Sequence, residues 1–352
     1  MDRCGGDVQD RVALDADHGA RRLVLVHGRD AARRMVAPER KKLVDIAAEV
    51  LGDDVGRIGI TYSGFCLTAL PHRRLADDSS WEKRGHRVTL LVEPGKMIVG
   101  PGPARLYGVP YGARARMLLL YLQTEAVRTG SPEIGLGRSM RDWLGRMGLS
   151  YGGGAGAMLR EQATRLAACS LKFFWQGEDG GEGWSKGGFV RSGLRFGADL
   201  GGSPAGDGRQ DRLWDDRVVL DDVFYEALKR HPVPLREAAL RELSDRSTSL
   251  DVYVALAYRL HTLKAPTPVR WAALRSQFGA GYGKIGAFKR DFLKALAPAV
   301  AAYPEARVEV EAEGIVLHPS RPPVAPRLVA VQGQSRDEGT ARAKSRMIAG
   351  AR

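Results

Sequence analysis

The sequence predicts an α+β fold: tandem winged-helix domains, each a helix-turn-helix closed by a β-hairpin, with an N-terminal extension and a disordered C-terminal tail. Two observations carry that reading. A long apolar helix, a short helix, a basic helix and a hairpin follow one another between Ala113 and Trp175, and again between Leu250 and Leu317. This is the order in which a winged helix presents its third helix to the major groove. Paired positions such as Leu144 with Leu274 and Ala157 with Ala287 lie about 130 residues apart, far beyond a solenoid period, so the pattern is domain duplication. The second observation is charge: 54 Lys and Arg against 41 Asp and Glu give net +13 over 352 residues, a balance suited to neutralising phosphates.

In chain order, residues 1–104 form an N-terminal region without an assignable fold. Lys41 to Leu51 reads as helical, Gly59 to Leu70 and Val88 to Val92 as extended, and the first ~30 residues as flexible. The first winged-helix domain spans 105–213. Ala115, Leu118, Leu119, Leu122 and Ala126 recur at helical spacing and mark a buried scaffold helix, stopped by Gly130 and Pro132. Leu136 follows as a short extended element. Ser139, with Asp142 three residues on, has the spacing of an N-terminal cap for a helix through Met147 that turns Trp143 and Leu144 inward. Gly148 and the Gly152-Gly153-Gly154 turn precede a third helix from Ala157 to Ala168. Its inner face is Leu159, Ala163 and Leu166; its outer face is Arg160, Glu161, Thr164 and Arg165. A hairpin goes out over Leu171 to Trp175 and returns over Phe189 to Phe196, and residues 197 to 213 read as a loop.

A linking helix within 214–232 starts at Asp221-Asp222 and closes at His231-Pro232. The second winged-helix domain spans 233–319. Leu250, Val254, Ala257, Leu260 and Leu263 line its scaffold helix, which Pro266 and Pro268 stop, and Trp271 to Phe278 is the short helix. Ile285, Phe288, Phe292 and Leu296 then share one apolar face, leaving Ala287, Arg290 and Lys294 on the opposite stripe. The hairpin points Val308 and Val310 inward, turns near Gly314 and returns from Ile315 to Leu317. Residues 320–352, rich in Pro, Arg, Gly, Ala and Ser, read as a disordered basic tail.

Three cysteines, Cys4, Cys66 and Cys169, are too few and too scattered for a zinc knuckle or a disulfide scaffold. The longest apolar runs are too short to span a bilayer, and the first residues mix Asp with Arg where a signal peptide is apolar. A cytoplasmic protein with no membrane partner is expected. Most of the charge excess, +11 of +13, lies beyond residue 104.

The candidate DNA-binding residues are Arg138 and Arg141, Arg160, Thr164 and Arg165, and Lys284, Lys289, Arg290 and Lys294. A helix in the groove must show long donors on its outer stripe, and a helix crossing the backbone needs phosphate contacts. The plainer account of each is an ordinary solvated face, and Glu161 among Arg160, Thr164 and Arg165 would repel phosphate. Glu309, Glu311 and Glu313 make the second wing acidic, and Glu178, Asp179 and Glu182 do so for the first; wings of that sign should avoid phosphate and could face a partner protein. The run Gly152 to Gly156 lacks the Gly-Lys-Ser/Thr ending of a phosphate-binding loop. Asp215-Asp216 and Asp221-Asp222 have no third ligand in pattern, so capping is preferred to a metal centre. No catalytic residue, metal or cofactor is assigned, and an enzyme is not expected.

The runs YSGFCLTALPHRRL, LYGVPYGARARMLLLYLQTEAVRTGSPEI, LGRSMRDWLGRMGL, VVLDDVFYEALKRHPVPLREAALREL, LDVYVALAYRLH and YPEARVEV with LHPSRPPV closely resemble the plasmid-encoded RepA replication initiators. The resemblance extends roughly from Leu43 to Val324. It implies a protein that binds direct repeats in a plasmid origin as double-stranded DNA, opens the duplex and draws in the host replication initiator and helicase machinery. It also implies repression of its own promoter; a homodimer is one candidate state. Two departures stand out: relatives carry a basic residue in the turn where this chain has Tyr151 to Gly156, and the first 30 or so residues have no counterpart. A winged-helix repressor without an origin role is the alternative, and a nicking initiator or primase the catalytic one.

Overall fold

Helical periodicity and turn chemistry set most of the elements, and pairing between distant segments sets how they are arranged. The computed structural model describes residues 5–85, 87–98, 102–149, 153–176, 182–193 and 217–325, with side chains described for all of these but 5–18, 137–141, 153 and 182. The N-terminal region contains α1 (Gly5–Met35, broken at Gly28), α2 (Lys41–Leu51), β1 (Ile58–Tyr62), α3 (Ser63–Leu67), β2 (Trp81–Arg84), β3 (Val88–Glu93), β4 (Gly95–Met97) and β5 (Arg105–Tyr107). The first repeat runs through α4 (Gly112–Thr129), β6 (Glu133–Gly135), α5 (Gly137–Arg146), α6 (Gly153–Ala168), β7 (Ser170–Gln176), β8 (Glu182–Gly188) and β9 (Val190–Ser192). Then come β10 (Arg217–Leu220), α7 (Asp222–Arg230), β11 (Pro232–Arg236) and α8 (Glu237–Glu242). The second repeat is α9 (Ser247–Arg259), β12 (Thr267–Arg270), α10 (Trp271–Phe278), α11 (Ile285–Ala301), β13 (Arg307–Glu311) and β14 (Gly314–His318). The fold is mixed α+β.

Both scaffold helices form where the apolar spacing places them. α4 buries Ala115, Leu118, Leu119, Leu122 and Ala126 and ends on Gly130, whose left-handed φ of 67° is open to glycine at little cost. α9 buries Leu250, Val254 and Ala257. The Asp221 carboxylate accepts from the Val223 and Phe224 amides, so the expected cap of α7 is made. The second repeat closes with a three-stranded sheet in the order β12-β14-β13, in which Val308 faces Leu317 and Val310 faces Ile315.

Several elements differ from the sequence reading. Gly5–Met35 is helical rather than flexible, and its second half is tied to α2 by Arg29 and Arg33, which both pair with Asp45. Gly59 to Leu70 is not one extended run, because β1 gives way to α3 at Ser63. α5 begins at Gly137, so Ser139 lies inside the helix rather than at its cap, and Gly153 and Gly154 belong to α6 rather than to the turn before it. The strand returning from β7 is β8, which ends before Phe189; that residue is fully buried, and β9 pairs with β10 instead. Phe196 and the loop at 197–213 lie outside the described residues. Ile285 is 45% exposed, so the apolar face of α11 starts at Phe288: residues 283–286 stand clear of the core. The tail is packed as far as Pro323, with the Ser320 amide on the Leu260 carbonyl and the Tyr303 hydroxyl donating to the Arg321 carbonyl. Residues 326–352 lie outside the described residues.

The N-terminal region is part of both repeats. β1 runs antiparallel to β11, from Ile58 opposite Arg236 to Tyr62 opposite Pro232. β3 lies between β2 and β7, so the hairpin of the first repeat completes a four-stranded sheet in the order β2-β3-β7-β8. One apolar core extends from Ile46 to Leu317 without a break at residue 104 or 233. A buried ion pair crosses it: Arg116 of α4 grips Asp251 of α9 through Nε and Nη2 at 2.6 and 2.7 Å, and also donates to the carbonyls of Leu70, Pro71 and Gly112. Among the described residues, no helix is long and apolar enough to cross a membrane.

Candidate nucleic-acid interface

The basic face of α11 rests on an aromatic floor. Phe288 and Phe292 are buried, with Phe292 against Phe278 at 5.5 Å and Trp271 at 6.1 Å, and Phe288 against Tyr282 at 5.6 Å. Aromatic burial of this kind fixes the rotation of the helix about its axis. That rotation leaves Lys284, Arg290 and Lys294 exposed. Lys284 is the residue that caps the helix start, and Arg290 and Lys294 are one turn apart. Lys289 is half-buried, its Nζ 5.1 Å from the centre of the Trp271 ring, so this cation braces α11 on α10.

The turn into α11 is held from both sides. Arg275 donates to the Tyr282 carbonyl at 2.8 Å, and the Tyr282 hydroxyl lies 3.3 Å from the Asp291 carboxylate. Burial, then the Asp291 charge, push the Tyr282 hydroxyl up from its ordinary value, while the bond from Arg290 pulls Asp291 down. Arg73, an exposed residue of the N-terminal region, is close enough to Tyr282 to act on it electrostatically. Sequence reading missed Arg73, since nothing local ties it to a helix two hundred residues later.

The third helix of the first repeat is arranged differently. Arg165 is only 2% exposed, and its Nη2 lies 2.8 Å from Asp77 and 2.9 Å from Glu161. Its guanidinium also stands over the Tyr111 ring. The expectation of an outward Arg165 is therefore corrected: the loop around Asp77 and the segment from β5 into α4 lie over that side of α6, and the charge is neutralised inside the protein. Gly95 carries the same message, because a Cβ there would meet the Ala168 carbonyl oxygen at 1.8 Å. Thr164 is half-buried and donates to the Arg160 carbonyl at 3.0 Å. Arg160 is half-buried too, with its Nη1 buried and unpartnered. Among the described side chains of α6, the exposed positions are Gly154, Ala157 and Met158, none of them charged. Arg138 and Arg141 lie in α5, but their side chains are outside the described residues.

In the hairpin of β13 and β14 the glutamates face outward: Glu309, Glu311 and Glu313 are all exposed. Glu178, Asp179 and the Glu182 side chain are outside the described residues. Cys66 and Cys169 are buried and free, and burial pushes both thiols up.

Residues 109–273 match the family model RepA_C, plasmid encoded RepA protein. The resemblance is to RepA. The RepA_C stretch takes in all the described elements from α4 to β12 and ends at the start of α10, leaving α11 and its hairpin outside the match. No curated protein matches the chain. Among solved structures, a selenomethionine derivative of domains 2 and 3 of RctB aligns at 13% identity with a TM-score of 0.46, over 73% of this chain and 97% of that one. A second structure of RctB domains 2 and 3 aligns at 14% identity and 0.42, over 72% and 93%.

Proposed function

We propose that this protein is a RepA-type plasmid replication initiator that binds repeated origin DNA through the second repeat. The observation that supports this most directly is α11: a helix seated on an aromatic floor, with Lys284, Arg290 and Lys294 outward. It stands in the helix, strand, helix, helix, hairpin order of a winged helix with its β12-β14-β13 sheet. In that fold the N-terminal half of the third helix enters the major groove. The RepA_C match supports an origin setting, in which several protomers on direct repeats would offset the few kcal/mol that bending or melting costs and bring in host initiator and helicase. Repression of its own promoter follows if the promoter carries the same site. The reading needs binding and no catalysis.

The test is fluorescence anisotropy with a duplex carrying the direct repeats beside the gene, between about 50 and 200 mM salt. The expected result is a log–log slope near −0.9 for each phosphate contacted. A flat salt response, or equal affinity for repeat and scrambled duplexes, overturns the proposal.

A further inference from the structure

Four arginines from separate parts of the chain converge on one cleft at the root of the second hairpin. Arg21 comes from α1, Arg236 from β11, Arg307 from the first residue of β13 and Arg321 from the strap after β14, and together they line an open cleft of about 670 Å³. A single carboxylate, Glu305, lies among them, 2.5 Å from Arg236. The lining therefore carries net +3 from side chains alone. Arg307 and Arg321 are exposed and make no side-chain ion pair or hydrogen bond with any described residue. The Nε of Arg21 is buried without a hydrogen-bond partner, although its Nη1 reaches the Pro304 carbonyl. Like charges gathered in this way repel one another, and a buried donor without a partner is desolvated without compensation. The repulsion is relieved by an anion.

We propose that the cleft is a binding site for a small polyphosphate, a ligand bearing two or more linked phosphate groups. Guanidinium forks match phosphate oxygens bidentately. A terminal phosphate carries about −1.5 to −2 at neutral pH, so a diphosphate matches a net +3 where a carboxylate does not. The volume is that of a small-molecule site. The sequence that follows the strap, residues 326–352, has the same sign as the cleft, with Arg327, Arg336, Arg342, Lys344, Arg346 and Arg352 against Asp337 and Glu338. Nor does the groove-facing helix reach it. The cleft adjoins the C-terminal end of α11, and Lys284 is ~25 Å away along that helix, while the hairpin turn lies at the other end of β13. The proposal stands apart from the DNA-binding reading and does not depend on it.

The experiment is isothermal titration of the full chain with inorganic pyrophosphate, alongside a short duplex without origin repeats, for wild type, R307Q/R321Q and R290A/K294A. The expected result is saturable binding at one pyrophosphate per chain, weakened about tenfold or more in R307Q/R321Q and unchanged in R290A/K294A. Circular dichroism of R307Q/R321Q should match wild type, since neither side chain is paired. Absence of saturable pyrophosphate binding overturns the proposal, as does binding that R307Q/R321Q leaves intact or R290A/K294A abolishes. Loss of duplex affinity in R307Q/R321Q, with no competition by pyrophosphate, assigns the cleft to the DNA backbone and also overturns it. Origin binding by the wild type is read separately, so failure here and failure of the DNA-binding proposal are distinct results.

Discussion

Arg290 and Lys294 differ from Arg165 in where the nearest carboxylates stand. Among the described residues, Arg290 pairs with its neighbour Asp291, at 3.3 Å on an exposed surface, a pairing that contributes little. Replacing Arg290 and Lys294 by Ala should leave the melting temperature unchanged, since Phe288, Phe292 and Leu296 still pack and Ala favours the helix. If either side chain makes a bidentate base contact, discrimination at that base falls by about 1–3 kcal/mol; if both touch phosphate, affinity falls evenly and the salt slope shrinks by about one per contact. A double variant with wild-type affinity and slope removes α11 from the interface. Arg165→Ala should behave in the opposite way. It strips the cation from Asp77 and Glu161 and should cost roughly 1–3 kcal/mol, the partial exposure of both carboxylates limiting the loss. Its thermal melt should shift while its salt slope stays at the wild-type value.

At the scale of elements, β1 and β3 are the strands that hold the two repeats in place. A chain lacking residues 1–104 loses the partner of β11 and the centre of the β2-β3-β7-β8 sheet. It leaves β7 and β11 as exposed edges, which template aggregation. Such a truncation should be insoluble or oligomeric by size-exclusion chromatography, and a monodisperse folded product would contradict the packing. Removal of residues after 325 should be far milder. The strap to 325 stays bound through Ser320 and Arg321, so footprinting should show the same site with weaker non-specific binding, since the removed residues are basic.

Over the whole molecule, the Arg116–Asp251 pair joins the scaffold helices of the two repeats. Breaking a buried, hydrogen-bonded pair leaves an uncompensated charge, so Asp251→Asn should lower stability by about 3–5 kcal/mol in a denaturant melt. His72 sits beside it, its Nδ1 2.9 Å from the Ser247 hydroxyl. Burial, then the Arg116 charge, push the imidazole down to about 4 from 6.5. The unfolded chain therefore binds a proton between these values that the folded chain refuses. The His72 contribution to stability should be level above pH 6.5 and fall as the pH drops towards 4, a slope that His72→Gln removes. Lys83, pushed down to about 8 by burial, has the corresponding window from pH 8 to 10.5, where stability should rise with pH.

Local pattern was enough for much of this molecule. The apolar spacing of α4, α9 and α10, that of α11 from Phe288 on, and the cap at Asp221 depend on residues within a turn or two, so they can be read directly, and so can the outward positions of Arg290 and Lys294. The sequence by itself also places the acidic side of the second hairpin, because alternation along β13 sends Val308 and Val310 in and Glu309 and Glu311 out. What it leaves open is every feature that joins distant segments. Nothing near Arg165 announces that Asp77, 88 residues earlier, will neutralise it, and on a helical wheel it looks as free as Arg290. Nor does any local run foretell that β11 will pair with β1, or that Arg21, Arg236, Arg307 and Arg321 will share one cleft. Periodicity encodes which face of an element is apolar; only the packed chain decides which polar faces are then covered by something else.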